Sequence, residues 1–410
     1  MIQRCPARSL QPTEQNVASQ PLDIAQAQAL VAGHCRLLPA ELTQVDGALG
    51  LVLSEQVIAS YDVPSSANSA MDGFAARAGD AGRTLKLIGE SRAGQPAAIS
   101  VGEGEAVRIS TGAVMPDGAD AVAPIEVAED HGDTVTLLEE LTGGRNVRLA
   151  GEDLRAGDAV LAPGRELGPA ELGIAVAAGR AELQCVRRAR VAVIATGDEL
   201  REPGADLAPG ELHNSNLTTI GALVRAAGAD VVLTSHVGDD PAATERCFSE
   251  ALDQADVIVC SGGVSVGPHD HVKGAFMELG VEERFWRVAL RPGRPTWFGS
   301  RDGQLVFGLP GNPVSAMVTF LLFVAPALRA IQGRSPQQTA SSTLGESIPR
   351  HPDRDECVRV RIEDGEAFAT GPQGSHILSS MSLADALAVI PRGEGSLAAG
   401  SAIELLSLQP

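Results

Sequence analysis

The sequence predicts a multidomain α/β plus β protein, and three changes of texture predict it. Between 188 and 332, strand-like and helix-like segments alternate. From 60 to about 150, glycines and prolines interrupt short β-like runs every few residues. Beyond about 335, the polar stretch QGRSPQQTASS leads into further short strands. A chain of 410 residues exceeds one ordinary core. At roughly 100–200 residues per domain, two to four domains are expected.

Residues 1–20 form a polar lead-in without an apolar core, read as disordered and not as a signal peptide. Helical apolar spacing follows over 22–38, at Leu22, Ala25, Ala29, Leu30 and Ala32. Residues 47–57 (GALGLVLSEQV) read as a second short helix. Strand-like runs at 84–88, 106–110, 121–125 and 134–138 predict a strand-rich domain over 59–148. Pro169 suits the first position of a helix over 169–178.

Strand-like 189–196, helix-like 214–228, strand-like 229–237, helix-like 242–254 and the apolar run DVIV (256–259) make an open α/β sheet with right-handed crossovers, the domain 187–334. In the small β domain 335–410, runs at 357–362 and 367–370 flank Asp364-Gly365, a hairpin signal. Strand-like 386–390 and 402–406 complete it.

Formal net charge is −20, which disfavours a nucleic-acid or anionic-membrane partner. No apolar run reads as long enough to span a bilayer. The six cysteines are scattered with no C-x-x-C pair, which argues against a zinc site or disulfide framework and suits a reducing cytoplasm.

In an open α/β sheet, ligands bind at the carboxyl ends of the strands. Three polar or glycine-rich loops fall there: 196–199, 238–240 and 261–270. The last, SGGVSVGPHD, carries Gly262, Gly263, Ser265, Gly267 and Asp270. It is either a plain strand-to-helix turn or an anion cradle of exposed N–H groups beside a carboxylate. It matches neither the dinucleotide nor the P-loop pattern. Asp198, Glu199, Asp239, Asp240 and Asp270 form a carboxylate set that suits Mg²⁺, although each also suits helix capping.

Arg287 and Arg291 are placed on one strand, an even number of residues apart, so they share a face and suit either an anion or surface salt bridges with neighbouring acids. LPGNP (309–313) opens an apolar helix over 314–328. From residue chemistry alone, NSAMDGF (68–74) and RISTG (108–112) are polar turns.

TGDEL (196–200), GDDP (238–241), SGGVSVGPHD (261–270), RPGRP (291–295) and GLPGNPVSA (308–316), in this order, resemble the molybdopterin molybdenumtransferases, the MoeA family that includes the gephyrin E domain. NSAMDGFA (68–75), ISTGAVMP (109–116), NVRLAGEDL (146–154) and GSHILSSMS (374–382) extend the likeness over about 20–408. The glycine-rich loop alone also suits the molybdopterin adenylyltransferases.

The resemblance implies a homodimer of four-domain subunits. The strand-rich domain is inserted into a segmented helical domain I (21–58 and 149–186), residues 187–334 bind molybdopterin, and 335–410 are β-barrel-like. It implies a cytoplasmic enzyme that inserts molybdenum from molybdate into adenylylated molybdopterin and releases AMP, with a molybdopterin adenylyltransferase as upstream partner. Carried over, Glu199, Asp239 and Asp270 bind Mg²⁺ or position the phosphate linkage. Gly262, Gly263, Ser265 and Gly267 cradle the cofactor, Arg287 and Arg291 hold anions including molybdate, and Pro310 and Pro313 shape the pocket wall. Asp72, Thr111 and Asp153 contribute from the strand-rich side, across the dimer. Arg359 and Ser375 match family positions in the last domain. Arg291 stands where lysine is common, and Ala67 where aspartate is common.

Overall fold

The computed structural model of the chain describes residues 20–264 and 271–409. Contacts divide it into two compact units, Glu41–Cys185 and Met1–Ala40 with Val186–Pro410.

In the Glu41–Cys185 unit, the expected strands form a six-stranded sheet. Its order is Ala121–Pro124, Gly73–Ala76, Glu105–Ile109, Thr84–Ser91, Thr134–Leu137 and Ala128–Asp130. Its faces pack Phe74, Leu85, Ala106, Val135 and Leu137 on one side and Ala75, Ile109 and Val122 on another. A separate core joins Val45, Leu51, Leu53 and Val57 to Leu154, Leu167, Ala175 and Leu183. The helix Pro169–Ala177 forms where Pro169 predicts it, with Glu171 accepting from the Gly168 N–H.

The short helix expected over 47–57 is absent. A 3₁₀ turn over Val45–Gly47 leads to the strands Val52–Leu53 and Val57–Ile58. Gly50 adopts φ +74°, which ends any helical run. Pairing with distant segments then takes these residues, for example through the Leu53 N–H donated to the Arg165 carbonyl.

The other unit is built on a six-stranded sheet. Its order is Asp230–Val237, Arg190–Thr196, Val257–Ser261, Gln304–Leu309, Trp297–Arg301 and Glu282–Trp286. The first four strands run parallel, Trp297–Arg301 runs against them, and Glu282–Trp286 pairs antiparallel with it. Period-2 alternation sorts the parallel strands cleanly. Val191, Val193, Val257, Val259, Leu305 and Phe307 face the helices Ile24–His34, Ser215–Ala226 and 313–331. Ala192, Ile194, Ile258, Cys260 and Val306 face Pro241–Gln254 and Val272–Glu278, where Phe248 stacks on Phe276 at 3.9 Å.

The helix over 313–331 contains a π-helical turn at Phe320–Val324. Contrary to the sequence reading, it is long and apolar enough to cross a bilayer by length and composition, but 78% of that window is buried in the fold. It is a core helix of the three-layer unit.

Beyond residue 335, Asp355–Glu363, Glu366–Ala369, Ala340–Leu344, Ala402–Ser407 and Ala386–Ile390 pair in that order. The last pairs again with the first, closing a five-stranded barrel. Asp364 and Gly365 both have positive φ, the conformation a two-residue hairpin needs.

One ion pair ties the sheet's amino end. Arg187 donates twice to Asp256, at 2.7 Å each, and the Arg190 N–H adds a third bond at 2.8 Å. Burial pushes the Asp256 carboxyl up, but Arg187 and the Arg190 N–H outweigh it and hold it below the usual carboxylate range. A lowered folded pKa contributes stability that is full above the unfolded value and lost as pH falls through the folded one. Asp256→Ala is therefore expected to cost about 3 kcal/mol at neutral pH, because it removes the partly buried carboxylate that binds Arg187 twice and the Arg190 N–H once. In urea melts that deficit should shrink in acid. A deficit that does not change with pH would assign the loss to packing.

Candidate functional site

The order of the parallel strands creates the site. The chain starts at Arg190–Thr196, steps to one side for Asp230–Val237 and to the other for Val257–Ser261. This is a topological switch point, where loops leave adjacent strand ends in opposite directions and open a crevice. A cleft of about 790 Å³ lies there, lined among others by Thr196, Glu199, Asp239, Gly262, Gly263 and Pro310.

The glycines are required by close approach. Gly262 has φ +98°, and a Cβ there would sit 2.7 Å from the Thr196 carbonyl oxygen and 2.8 Å from its Oγ1. Gly263 has φ +64°, and its Cβ would meet Val272 at 2.5 Å and Thr196 Oγ1 at 3.0 Å. Only glycine lets the two strand ends meet in this geometry. Ser265, Gly267 and Asp270, expected in this cradle, lie outside the described residues.

Glu199 and Asp239 both line the cleft and are exposed. Their neighbours explain why. Asp198 turns away and accepts the Asp239 N–H at 3.0 Å, clasping the two loops. Asp240 caps the helix Pro241–Gln254 by accepting the Ala242 N–H. Thus two of these four acids build structure and two face the cleft. Among the described residues, no group of three His, Cys, Asp or Glu side chains could hold a metal ion by itself. A pair of carboxylates is nonetheless the protein share typical of Mg²⁺, which takes its other ligands from substrate phosphates and water.

A second cavity of about 440 Å³ shares Pro295, Pro310, Asn312 and His376 with the first. It is lined by Arg291, Arg294 and Arg354 together with Ser315 and Ser375. Asn312 Nδ2 donates to Ser375 Oγ at 3.0 Å, and the Val314 N–H donates to the Ser375 carbonyl at 3.2 Å. The start of the 313–331 helix and the barrel loop are thereby joined. Arg359 lies beneath that loop, 0% exposed, donating to the carbonyls of Pro372 and Gly374. Burial lowers its pKa, and its Nε has no hydrogen-bond partner among the described residues. Arg359 positions Ser375 and is itself shut off from solvent.

The expectation that Arg287 and Arg291 share a strand face is overturned. The strand ends at Trp286, and Arg287 takes φ +79°, which breaks the two-residue alternation. Its guanidinium lies 3.9 Å from the centroid of the Trp286 ring. Arg291 belongs to a different strand, Leu290–Arg291, paired with Asp355–Glu363. There it forms an ion pair with Glu356 at 2.9 Å and lines the second cavity.

In the Glu41–Cys185 unit, Asp72 and Thr111 come together, the Thr111 N–H donating to Asp72 Oδ1 at 2.7 Å. Both are exposed, as is Asp153, which lies on the loop before Leu154.

Sequence reasoning missed Asn214 and Asn216 at the cleft floor and Arg294 and Arg354 in the second cavity. Asn214 was findable as an N-cap ahead of a helical run. Arg354 had no local signal, because the fold alone brings it beside Arg291.

The comparisons decide the family. Residues 22–179 match the MoeA N-terminal region (domain I and II), and 341–408 the MoeA C-terminal region (domain IV). Residues 192–330 match the "probable molybdopterin binding domain". The molybdopterin molybdenumtransferase 2 of Mycobacterium tuberculosis is 38% identical over 91% of this chain and 96% of its own length.

The chain belongs to the MoeA family.

The molybdopterin molybdenumtransferase of Haemophilus influenzae is 35% identical over 89% of this chain and 93% of its own. A solved molybdopterin biosynthesis MoeA protein from Pyrococcus horikoshii superposes with TM-score 0.79 at 28% identity, covering 95% of this chain and all of that one. GLPGNP and the glycine-rich loop both border the first cavity.

Proposed function

We propose that this MoeA-family chain is a transferase that inserts molybdenum from molybdate into adenylylated molybdopterin and releases AMP. The observation that carries the reading is the pair of adjacent cavities, which share four lining residues. One presents two carboxylates beside a glycine-lined floor, and the other three arginines beside two serines. A substrate with a phosphate linkage at one end and an oxyanion cargo at the other fits that polarity.

Glu199 and Asp239, with Asp270, would hold Mg²⁺ against the phosphate linkage. The ion would supply charge neutralisation there. Thr196 and the backbone at Gly262 and Gly263 confine the bound group at the switch point. Arg291, Arg294 and Arg354 bring positive charge to a tetraoxoanion, with Arg291 held by Glu356 and Arg354 by His351. Cleavage of such a linkage needs electrostatic preorganisation more than a covalent nucleophile.

The family resemblance supports a homodimer in which Asp72, Thr111 and Asp153 act on the partner's cleft. It also supports a molybdopterin adenylyltransferase as supplier of the substrate. The five described cysteines are free, and burial pushes Cys357 up to about 12, which suits a cytoplasmic protein with unreactive thiols.

Charge reversal at Arg291 tests the anion end. Arg291→Glu places a second carboxylate beside Glu356, and the molybdate concentration for half-maximal rate should rise at least about tenfold. An unshifted molybdate response would remove Arg291 from the anion site.

A further inference from the structure

Two polar side-chain atoms at the start of the Ser215–Ala226 helix are buried without a partner among the described residues. They belong to Asn214, 4% exposed, and Asn216, 8% exposed, and both residues line the larger cleft. Half of each amide is already committed. Asn214 Oδ1 caps the helix by accepting the Leu217 N–H at 3.2 Å. Asn216 Nδ2 donates to Ser261 Oγ and to the Gly311 carbonyl, each at 2.7 Å. These bonds fix how each amide is turned, because the reverse orientation would set donor against donor or acceptor against acceptor. What remains is one free donor, Asn214 Nδ2, and one free acceptor, Asn216 Oδ1.

The free acceptor is the discriminating group. Apart from a cation or water, only an N–H or O–H of the ligand satisfies it, and ionised phosphate, molybdate and thiolate groups carry none to give. A neutral nitrogen heterocycle carries a donor N–H beside an acceptor on one planar edge and meets both needs. We infer that Asn214 and Asn216 are specificity residues that read the hydrogen-bonding edge of a planar nitrogen heterocycle in the cleft. The inference rests on the proposed function for its ligand, where that edge comes from the pterin or from the adenine of the adenylylated substrate.

Asn214→Ser and Asn214→Asp separate this role from capping, since both replacements still cap a helix. Each removes the Nδ2 donor: serine leaves only a shorter hydroxyl in its place, and aspartate leaves no donor and adds charge. Calorimetric titration of the full-length chain with molybdopterin, and separately with AMP, reads the result. Both variants should melt with the wild type and bind one of the two ligands at least about tenfold more weakly, leaving the other within about twofold. Weakened molybdopterin binding would identify the pterin edge, and weakened AMP binding the adenine edge. Unchanged affinities would show that only water meets the orphaned atoms and would overturn the inference. Equal weakening of both ligands by Asn214→Ser would overturn it as well. A wild type that bound neither ligand would remove the functional reading itself, whereas wild-type binding with unaffected variants would remove this inference alone.

Discussion

Gly262→Val is expected to abolish molybdopterin binding and to lower the melting temperature. A Cβ at this position would stand 2.7 Å from a backbone oxygen of Thr196, which has no flexible end to move aside. The residue is also left-handed, at φ +98°. Left-handed backbone costs a substituted residue about 1–2 kcal/mol, and overpacking adds about 1–3 kcal/mol. Relief requires the Val257–Ser261 strand end to withdraw from Arg190–Thr196, which deforms the crevice. Thermal unfolding and ligand titration together check this. Normal binding in the valine variant would show that the strand-end contact does not shape the site.

The second large effect is expected at the carboxylates. Asp239→Asn and Glu199→Gln should each cut turnover by about 100-fold or more, the scale of losing one preorganised charge at a reacting phosphate. Neither should change the melting temperature measurably. Both side chains are exposed in the cleft, and the loop clasp uses the Asp239 N–H, which asparagine retains. Raising Mg²⁺ should restore part of the lost rate if these oxygens hold the ion. Full turnover in both variants would leave Asp270 as the sole candidate acid. The control is Asp240→Asn, which keeps the cap on Pro241–Gln254 and should leave turnover intact.

Much of this architecture is legible in the residues. Near-continuous apolar runs such as RVAVIAT and VIVCS give the parallel strands, because both faces of that sheet are buried. The Asp364-Gly365 pair gives the barrel hairpin, because few dipeptides accept two positive φ angles. The failures have equally local causes. Residues 47–57 have helix-like apolar spacing, yet pairing with distant strands wins. At Arg287 one left-handed residue breaks a face assignment that assumed continuous strand geometry.

Of the site, the loops at the strand ends are legible because topology places them there. The division of labour among acids is not. Asp198 and Asp240 look like Glu199 and Asp239 in sequence, and only hydrogen bonding tells clasp and cap from cleft lining. Nor does sequence reveal the two orphaned amide atoms, since an Asn at a helix start ordinarily reads as a cap and nothing more.

The most direct test of the central claim supplies the purified chain with adenylylated molybdopterin, Mg²⁺ and molybdate. AMP is followed together with activation of a molybdenum-free apo-enzyme. The account predicts AMP release that requires molybdate, with activity appearing in the acceptor enzyme in proportion. Adenylylated cofactor that binds but stays intact, with the acceptor left inactive at every molybdate concentration, would contradict it.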